Sequence, residues 1–338
     1  MPTDAVTLDV DGRAVRLSSP TKPYFPALGL SKLDVARYVM AVGGGALDAV
    51  RGRPTTMERW PGGVTGEESF YQKRIPKGTP DWVQTCVVTF PSGRTAETVC
   101  PADLATLVWM VNLGSIRFHP WPVLGVAPEV VDQLRIDLDP QPGTDFSDAA
   151  GAALALRGVL DELGLTGFPK TSGGRGVHVF APIVPASFTD ARHAAIAIGR
   201  ELARRLPDRV TVNWWKEERG PRIFVDYNQM ARDRLMASAY SIRPVEDARV
   251  SAPLAWDELG DADPAAFTVL TTLARYAERG DLWADLYRTP PASLDPALAW
   301  YDRDAAAGEG ELPYPPDYPK MPGEPMRVQP SRARKPAE

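Results

Sequence analysis

In the stretch "RIDLDPQPGTDF", residues 135 to 146, two aspartates stand one residue apart inside an apolar run that stops at a proline. Side chains of a strand alternate between faces, so Asp137 and Asp139 share one face while Ile136 and Leu138 take the other. Two neighbouring carboxylates repel unless a cation or a proton sits between them. Pro140 ends the strand and leaves the pair at its C-terminal rim. An arbitrary D-x-D is most often a solvated strand face. Here "RIFVDYNQ" counts against that reading, because a second apolar strand also finishes in a carboxylate, Asp226. Three carboxylates closing two strands suit hard divalent cations, which take oxygen ligands and often share them with substrate phosphates. A pair of such ions about 3.5–4 Å apart activates an attacking hydroxyl and stabilises a leaving pyrophosphate.

Between these strands lies "KTSGGRGVHVFAP", residues 170 to 182. Thr171 and Ser172 supply hydroxyls, Gly173, Gly174 and Gly176 permit close backbone approach, and Arg175 and His178 add polar or cationic groups. That combination suits a polyphosphate. A glycine-rich turn before a strand is more often a plain hairpin. His178 alternates with Val177 and Val179, so it faces away from two apolar neighbours and toward whatever the loop binds.

These groups need elements to hold them. The best strands are 82–90, 133–139, 176–183 and 222–227, all rich in β-branched or aromatic residues. Five helices are marked by their ends. Ser31 with Asp34 forms a short capping box before "LDVARYVMAVGGGALDAV", which the glycines at 43–45 break or end. "PADLATLVWMVNLG" has Pro101 in its first turn, and "SDAAGAALALRGVLDELG" has Ser147 as its cap. "FTDARHAAIAIGRELARRLP" and "PAAFTVLTTLARYAERG" complete the set. Strands and helices interleave without a strict βαβ rhythm, and no glycine fingerprint opens a helix after a strand, which predicts a mixed α+β fold.

Composition bounds the function. The 338 residues carry a formal net charge of −5, which argues against a general nucleic-acid coat but permits a basic groove on an acidic body. Arg51, Arg53, Arg59, Lys73, Arg74 and Lys77 fall within 51–77, whereas 260–312 is strongly acidic. No apolar window of about 18 residues spans a membrane, and no secretory signal opens the chain, so the expectation is a cytoplasmic protein. The two cysteines, Cys86 and Cys100, are too few for a four-thiolate zinc site. Eleven of the last fifty residues are proline, against an average usage of roughly 5%. A boundary is therefore placed at 288, with 289–338 extended and irregular, wrapping the domain or partly disordered.

In this order and spacing, "DLDP", "TSGGRGVH" and "FVDY" resemble the three signature motifs of the polymerase domain of bacterial ligase D, in the archaeo-eukaryotic primase superfamily. "RWPGGVTGEESFYQKR", "PDWV", "FHPW" and "YSIRPVEDARVSAPLAWDEL" are similar to its other segments, so the resemblance covers about residues 6 to 285. It implies a primase-like fold over 1–288 and template-directed nucleotidyl transfer in non-homologous end joining, by gap filling and end extension. Asp137, Asp139 and Asp226 would hold two divalent ions, manganese in preference to magnesium. Ser172 and His178 would contact the triphosphate, Arg219 and Arg243 its phosphates or sugar, and His119 the sugar. Phe70 and Tyr71 would stack near the templating base, with core packing as the plainer reading of either alone. Lys22 and Lys32 would recognise a DNA 5′-phosphate, solvated lysines being the plainer reading. Implied partners are DNA with gapped or broken ends, nucleoside triphosphates, a Ku-type end binder and a separate DNA ligase. The ligase is separate because no K-x-D-G motif occurs and the length suggests a stand-alone polymerase. The resemblance also brings a preference for ribonucleotides.

Some positions depart from the family's pattern. Ser19 stands where an asparagine often joins the two lysines, and Met230 and Met236 replace polar residues often found after the third aspartate. His193 receives no role. A D-x-D nucleotide-sugar glycosyltransferase also uses a metal-held nucleotide, yet it explains neither Asp226 nor Lys22. A non-catalytic DNA-end module is disfavoured because all three carboxylates are present.

Overall fold

The strand containing the aspartate pair, Val130–Pro140, sits at the centre of a five-stranded sheet. Its neighbours run in the order Phe168–Thr171, Val177–Ser187, Val130–Pro140, Ile223–Val225 and Val210–Thr211, antiparallel except for the last pair. Leu134, Ile136 and Leu138 alternate onto one face and are buried there against helices Phe146–Glu162 and Phe188–Arg205. Those helices meet the sheet with small residues, Ala149, Ala153, Ala191 and Ala195, beside Leu156, Leu160, Ile198 and Leu202. Each fully buried leucine stabilises the layer by roughly 1.5–3 kcal/mol. The structure, a computed structural model, describes residues 4–66, 68–314 and 323–324.

A second core gathers helices Lys32–Ala41 and Leu104–Asn112 against another sheet, ordered Phe70–Gln72, Thr55–Arg59, Thr95–Val99, Thr85–Thr89, with Ser115–Pro120 also paired to Thr55–Arg59. Phe180 lies in this second core although its strand belongs to the first sheet. Residues that alternate with the helix-covered positions therefore look toward the second core. The fold is mixed α+β and primase-like, as the motifs imply.

Local chemistry sets the helix ends. Ser31 and Asp34 form the expected capping box. Asp103 caps Leu104–Asn112, so Pro101 lies before the helix and not in its first turn. Asp145, not Ser147, caps Phe146–Glu162, in a reciprocal box with Asp148. The 260s begin with a 3₁₀ turn at Pro264–Ala266, and the helix proper is Val269–Arg279 capped by Thr268. The strand expected at 82–90 is Thr85–Thr89, and that expected at 222–227 is Ile223–Val225.

The tail requires a larger correction. Asp295–Ala306 is a helix, with Pro296 tolerated in its first turn, where no intrahelical N–H partner is needed. Leu294 and Ala297 are buried in the first core, with Leu298, Trp300, Tyr301 and Leu312 packed against it. Of the segment expected to be irregular, residues 315–322 and 325–338 lie outside the described residues.

Candidate active site

Asp137, His178 and Lys170 stand in register across three adjacent strands: Asp137 pairs with His178, and His178 with Lys170. Asp226 joins from just past the end of the next strand, its N–H donating to the Asp137 carbonyl at 3.0 Å. Antiparallel register thus collects groups that lie far apart in sequence onto one sheet face. Burial, together with the negative charges of Asp226 and Asp139, raises the Asp137 carboxyl well above the usual range. Burial likewise raises Asp226, with Arg234, the Asn228 N–H and Arg219 opposing.

Amides separate the carboxylates. Asp226 caps the 3₁₀ turn Tyr227–Met230, which brings Gln229 back over it. The Gln229 Nε2 donates to Asp226 Oδ2 at 3.1 Å and to Asp137 Oδ2 at 3.3 Å. Gln141 Nε2 donates to Asp139 Oδ2 at 3.0 Å. Among the described residues, no group of three or more His, Cys, Asp or Glu side chains is assembled to hold a metal ion. The three aspartates are therefore gathered but not closed into a ligand cage. The chemistry of the surroundings nevertheless fits a hard cation. The like charges crowd one another, and Gln229 Oε1 is a buried oxygen with no hydrogen-bond partner.

The glycine loop is packed too closely for side chains. A Cβ on Gly176 would sit 2.8 Å from the Leu138 carbonyl oxygen, and one on Gly173, at φ +73°, would meet Arg243 Cγ and Cδ at 2.9 Å. Ser172 Oγ accepts the N–H groups of Gly174 and Gly176 at 3.2 and 3.1 Å, while Arg243 donates to the Ser172 carbonyl at 3.3 Å. His178 Nε2 lies 3.4 Å from Asp137 Oδ1, and its Nδ1 lies 2.7 Å from Lys170 Nζ. Arg219 is buried and near the carboxylates, but its donors go to Gln141 and to the carbonyls of Asn213 and Trp214. The guanidinium stacks 3.5 Å over the Phe224 ring.

A neighbouring group surrounds His119. Its Nε2 lies 2.8 Å from Glu58, which also pairs with Arg117 at 2.8 Å. Burial lowers the His119 pKa, and its Nδ1 is buried without a partner. Tyr71 packs edge-on against His119 with ring centroids 5.7 Å apart. Phe70 is 42% and Tyr71 50% exposed, which sets aside core packing for both. They border a cleft of ≈ 520 Å³ lined also by Lys73, Arg74, Phe90 and Arg94. Asp233 offsets one of these cations by pairing with Lys73.

Lys22 and Lys32 are joined through the backbone, the Lys32 N–H donating to the Lys22 carbonyl at 2.9 Å. Lys32 is only 5% exposed, and its ammonium donates to the carbonyls of Ser18 and Asn112 at 2.9 and 2.7 Å. Burial, with the Lys22 and Arg59 cations, lowers its pKa to about 8. It is not the solvated lysine of the plainer reading. Lys22 is half-buried and donates to the Pro61 carbonyl at 2.9 Å. Ser19 adopts a left-handed φ of 48°, a conformation that asparagine tolerates well. Met230 and Met236 are buried packing residues, Met230 Sδ accepting the Arg135 N–H at 3.2 Å. His193 stacks on Tyr301 and pairs with Glu311 away from this site.

Sequence reasoning passed over Gln229, Gln141, Glu58, Arg117 and Lys170. Gln229 carried a signal, since it lies three residues after Asp226 and can fold back within one turn. Glu58 and Lys170 carried none, because their partners are set by strand register.

The fold and this site define a primase-polymerase domain, an enzyme of the nucleotidyltransferase class. The chain belongs to the family described as LigD, primase-polymerase domain, whose model matches residues 31–283. It is 29% identical over 309 residues to the multifunctional non-homologous end joining protein LigD of Mycolicibacterium smegmatis, covering 90% of this chain and 40% of that protein. It is 31% identical over 291 residues to the bifunctional LigD of Bacillus subtilis, covering 82% of this chain and 46% of that protein. The chain thus spans less than half the length of these relatives. Among solved structures, the polymerase domain of Mycobacterium tuberculosis ligase D in complex with DNA superposes with a TM-score of 0.75 at 30% identity, covering 81% of this chain and 98% of that one. The family match sets aside the glycosyltransferase reading.

Proposed function

We propose that this protein extends primers by template-directed nucleotidyl transfer, filling short gaps and extending broken ends in DNA repair. The observation that carries this reading is the convergence of Asp137, Asp139 and Asp226 beside the Ser172 and His178 loop, with burial and then the repulsion among them raising the Asp137 pKa. Asp137, Asp139 and Asp226 would hold two divalent ions, manganese preferred, which when bound supply an activated primer hydroxyl and charge relief for pyrophosphate. Phosphoryl transfer asks the protein chiefly for positioning and electrostatic stabilisation. The loop N–H groups, His178 and Arg243 would orient the triphosphate, with Arg219 supporting Gln141 beside Asp139. His119, held by Glu58, would sit at the nucleotide sugar, where a ribonucleotide preference would arise. Phe70 and Tyr71 would stack the template along the basic cleft, and Lys22 with Lys32 would read a downstream 5′-phosphate. A Ku-type end binder and a separate ligase would complete joining, in the cytoplasm near the nucleoid. No helix among the described residues is long and apolar enough to cross a membrane.

The test is incubation with manganese, nucleotides and a labelled gapped primer-template. Wild type should extend the primer, and Asp137→Ala or Asp139→Ala should lose extension at least about a thousandfold while still binding the DNA, which distributed basic contacts hold. Near-normal extension by either variant sinks the assignment. Binding without extension by wild type would favour the non-catalytic end module.

A further inference from the structure

Lys170 is wholly buried beside the candidate triphosphate site, and no role there accounts for it. A lysine seldom occupies such a position, because desolvating an ammonium is expensive unless every hydrogen finds an acceptor. Its surroundings provide three. Nζ lies 2.5 Å from Ser251 Oγ, 3.5 Å from the Thr171 carbonyl and 2.7 Å from His178 Nδ1. Ser251 commits its own hydroxyl hydrogen to the Thr171 carbonyl at 2.7 Å, so toward Lys170 its oxygen accepts. Burial pushes the Lys170 pKa well down and the Asp137 carboxylate opposes it; in the ammonium form, with two hydrogens on Ser251 and Thr171, the third faces His178 Nδ1. A neutral imidazole carries one proton, and an acceptor at Nδ1 puts that proton on Nε2. Nε2 is the atom turned to the carboxylate rim, 3.4 Å from Asp137 Oδ1.

We propose that Lys170, anchored by Ser251, is a positioning residue that fixes the tautomer and ring orientation of His178, so that Nε2–H is presented to the nucleotide phosphates. This rests on the reading of His178 as a triphosphate contact. Lys170 itself stays out of reach of the substrate, one strand behind the histidine. Its effect passes through one hydrogen bond, as outer partners orient metal-bound histidines. Without it the ring is free to flip or to place its proton on Nδ1, and the acceptor left facing a phosphate repels it.

The decisive measurement is spectroscopic and needs no activity. The chain has three histidines, so the ¹⁵N two-bond spectrum of labelled protein can be assigned by difference with His178→Ala. Wild type should show His178 protonated on Nε2 alone, and Lys170→Met should show a mixture of tautomers. A wild-type His178 protonated on Nδ1, or a pattern unchanged by Lys170→Met, overturns the proposal. Kinetics provide the second arm. Lys170→Met should raise KM for nucleotide about tenfold, the loss of one hydrogen bond to a charged group, with a smaller change in kcat and unaltered binding of gapped DNA. In a His178→Ala background the same substitution should add nothing to KM. Additive effects would make Lys170 a merely structural residue and overturn the proposal. Should Lys170→Met fail to fold, Ser251→Ala, which loosens the anchor and keeps the lysine, should shift the tautomer ratio in the same direction, and an unchanged ratio counts against it. A protein that shows the tautomer shift but never adds nucleotides retains the Lys170 assignment and loses the polymerase reading.

Discussion

At the scale of single residues, the site is a store of unfavourable electrostatics. Asp137 is buried and crowded by Asp226 and Asp139, and its carboxyl is raised well above the ordinary range. A carboxyl whose folded pKa exceeds its unfolded one stabilises the fold at low pH, and that contribution disappears as pH rises through the folded value. Asp137→Asn should therefore stabilise the metal-free protein at neutral pH, by about 0.5–2 kcal/mol, while abolishing activity. The gain should shrink toward acid pH. Thermal denaturation of both proteins across that range checks it. Lys32 gives a prediction of the opposite kind. Its pKa near 8 means that its charge is present at neutral pH and is lost through the mildly alkaline range, where an ordinary lysine stays charged. The preference for gapped DNA carrying a 5′-phosphate over a 5′-hydroxyl should therefore decline between about pH 7 and pH 9. A bound phosphate would move the decline upward. Fluorescence anisotropy with both substrates measures it, and a pH-independent preference would place the recognition on Lys22 alone.

Elements are positioned by local rules that compete at their ends. Asp145 and Ser147 both precede or open the helix behind the catalytic strand, yet only Asp145 takes the capping geometry, accepting from the N–H groups of Ser147 and Asp148. Aspartate wins because its charged oxygen also favours the positive end of the helix dipole. Asp145→Ala should lower stability by about 1 kcal/mol, whereas Ser147→Ala should stay within about 0.5 kcal/mol of wild type. Equal losses in denaturant titrations would move the cap. The same tightness governs the loop: with a Gly176 Cβ placed 2.8 Å from the Leu138 carbonyl, that loop and the carboxylate strand could not stay in contact.

On the scale of the whole molecule, the first core does not end at the proline-rich boundary. Helix Asp295–Ala306 packs on Phe188–Arg205, and Arg192, almost fully buried, pairs with Glu311 and donates to the Leu312 carbonyl at 2.7 Å. A chain cut after residue 288 would expose that guanidinium and the core around Leu294 and Ala297. Leu294 alone represents about 2 kcal/mol of burial, and Arg192 would lose Glu311 and the Leu312 carbonyl while keeping its bond to Asn228. The truncated protein should melt well below the full chain or fail to express in soluble form. An unchanged melting temperature would restore the boundary at 288.

By itself the sequence determined the strand-ending aspartates, the Ser172 to His178 loop, most helix and strand centres, and the family. These are local properties: alternation, glycine spacing and motif order are complete within a few residues. Only the tertiary structure decided which side chains meet. The row Lys170, His178, Asp137 depends on the register of three strands, and register is set by burial of the opposite faces over many residues. Burial of Lys32 and exposure of Phe70 and Tyr71 were likewise undecided, because a lysine or an aromatic residue fits core or surface until its neighbours are placed. The proline count misled over 295–306 because a proline in the first turn of a helix breaks nothing, and its partner layer lies about a hundred residues earlier in the chain.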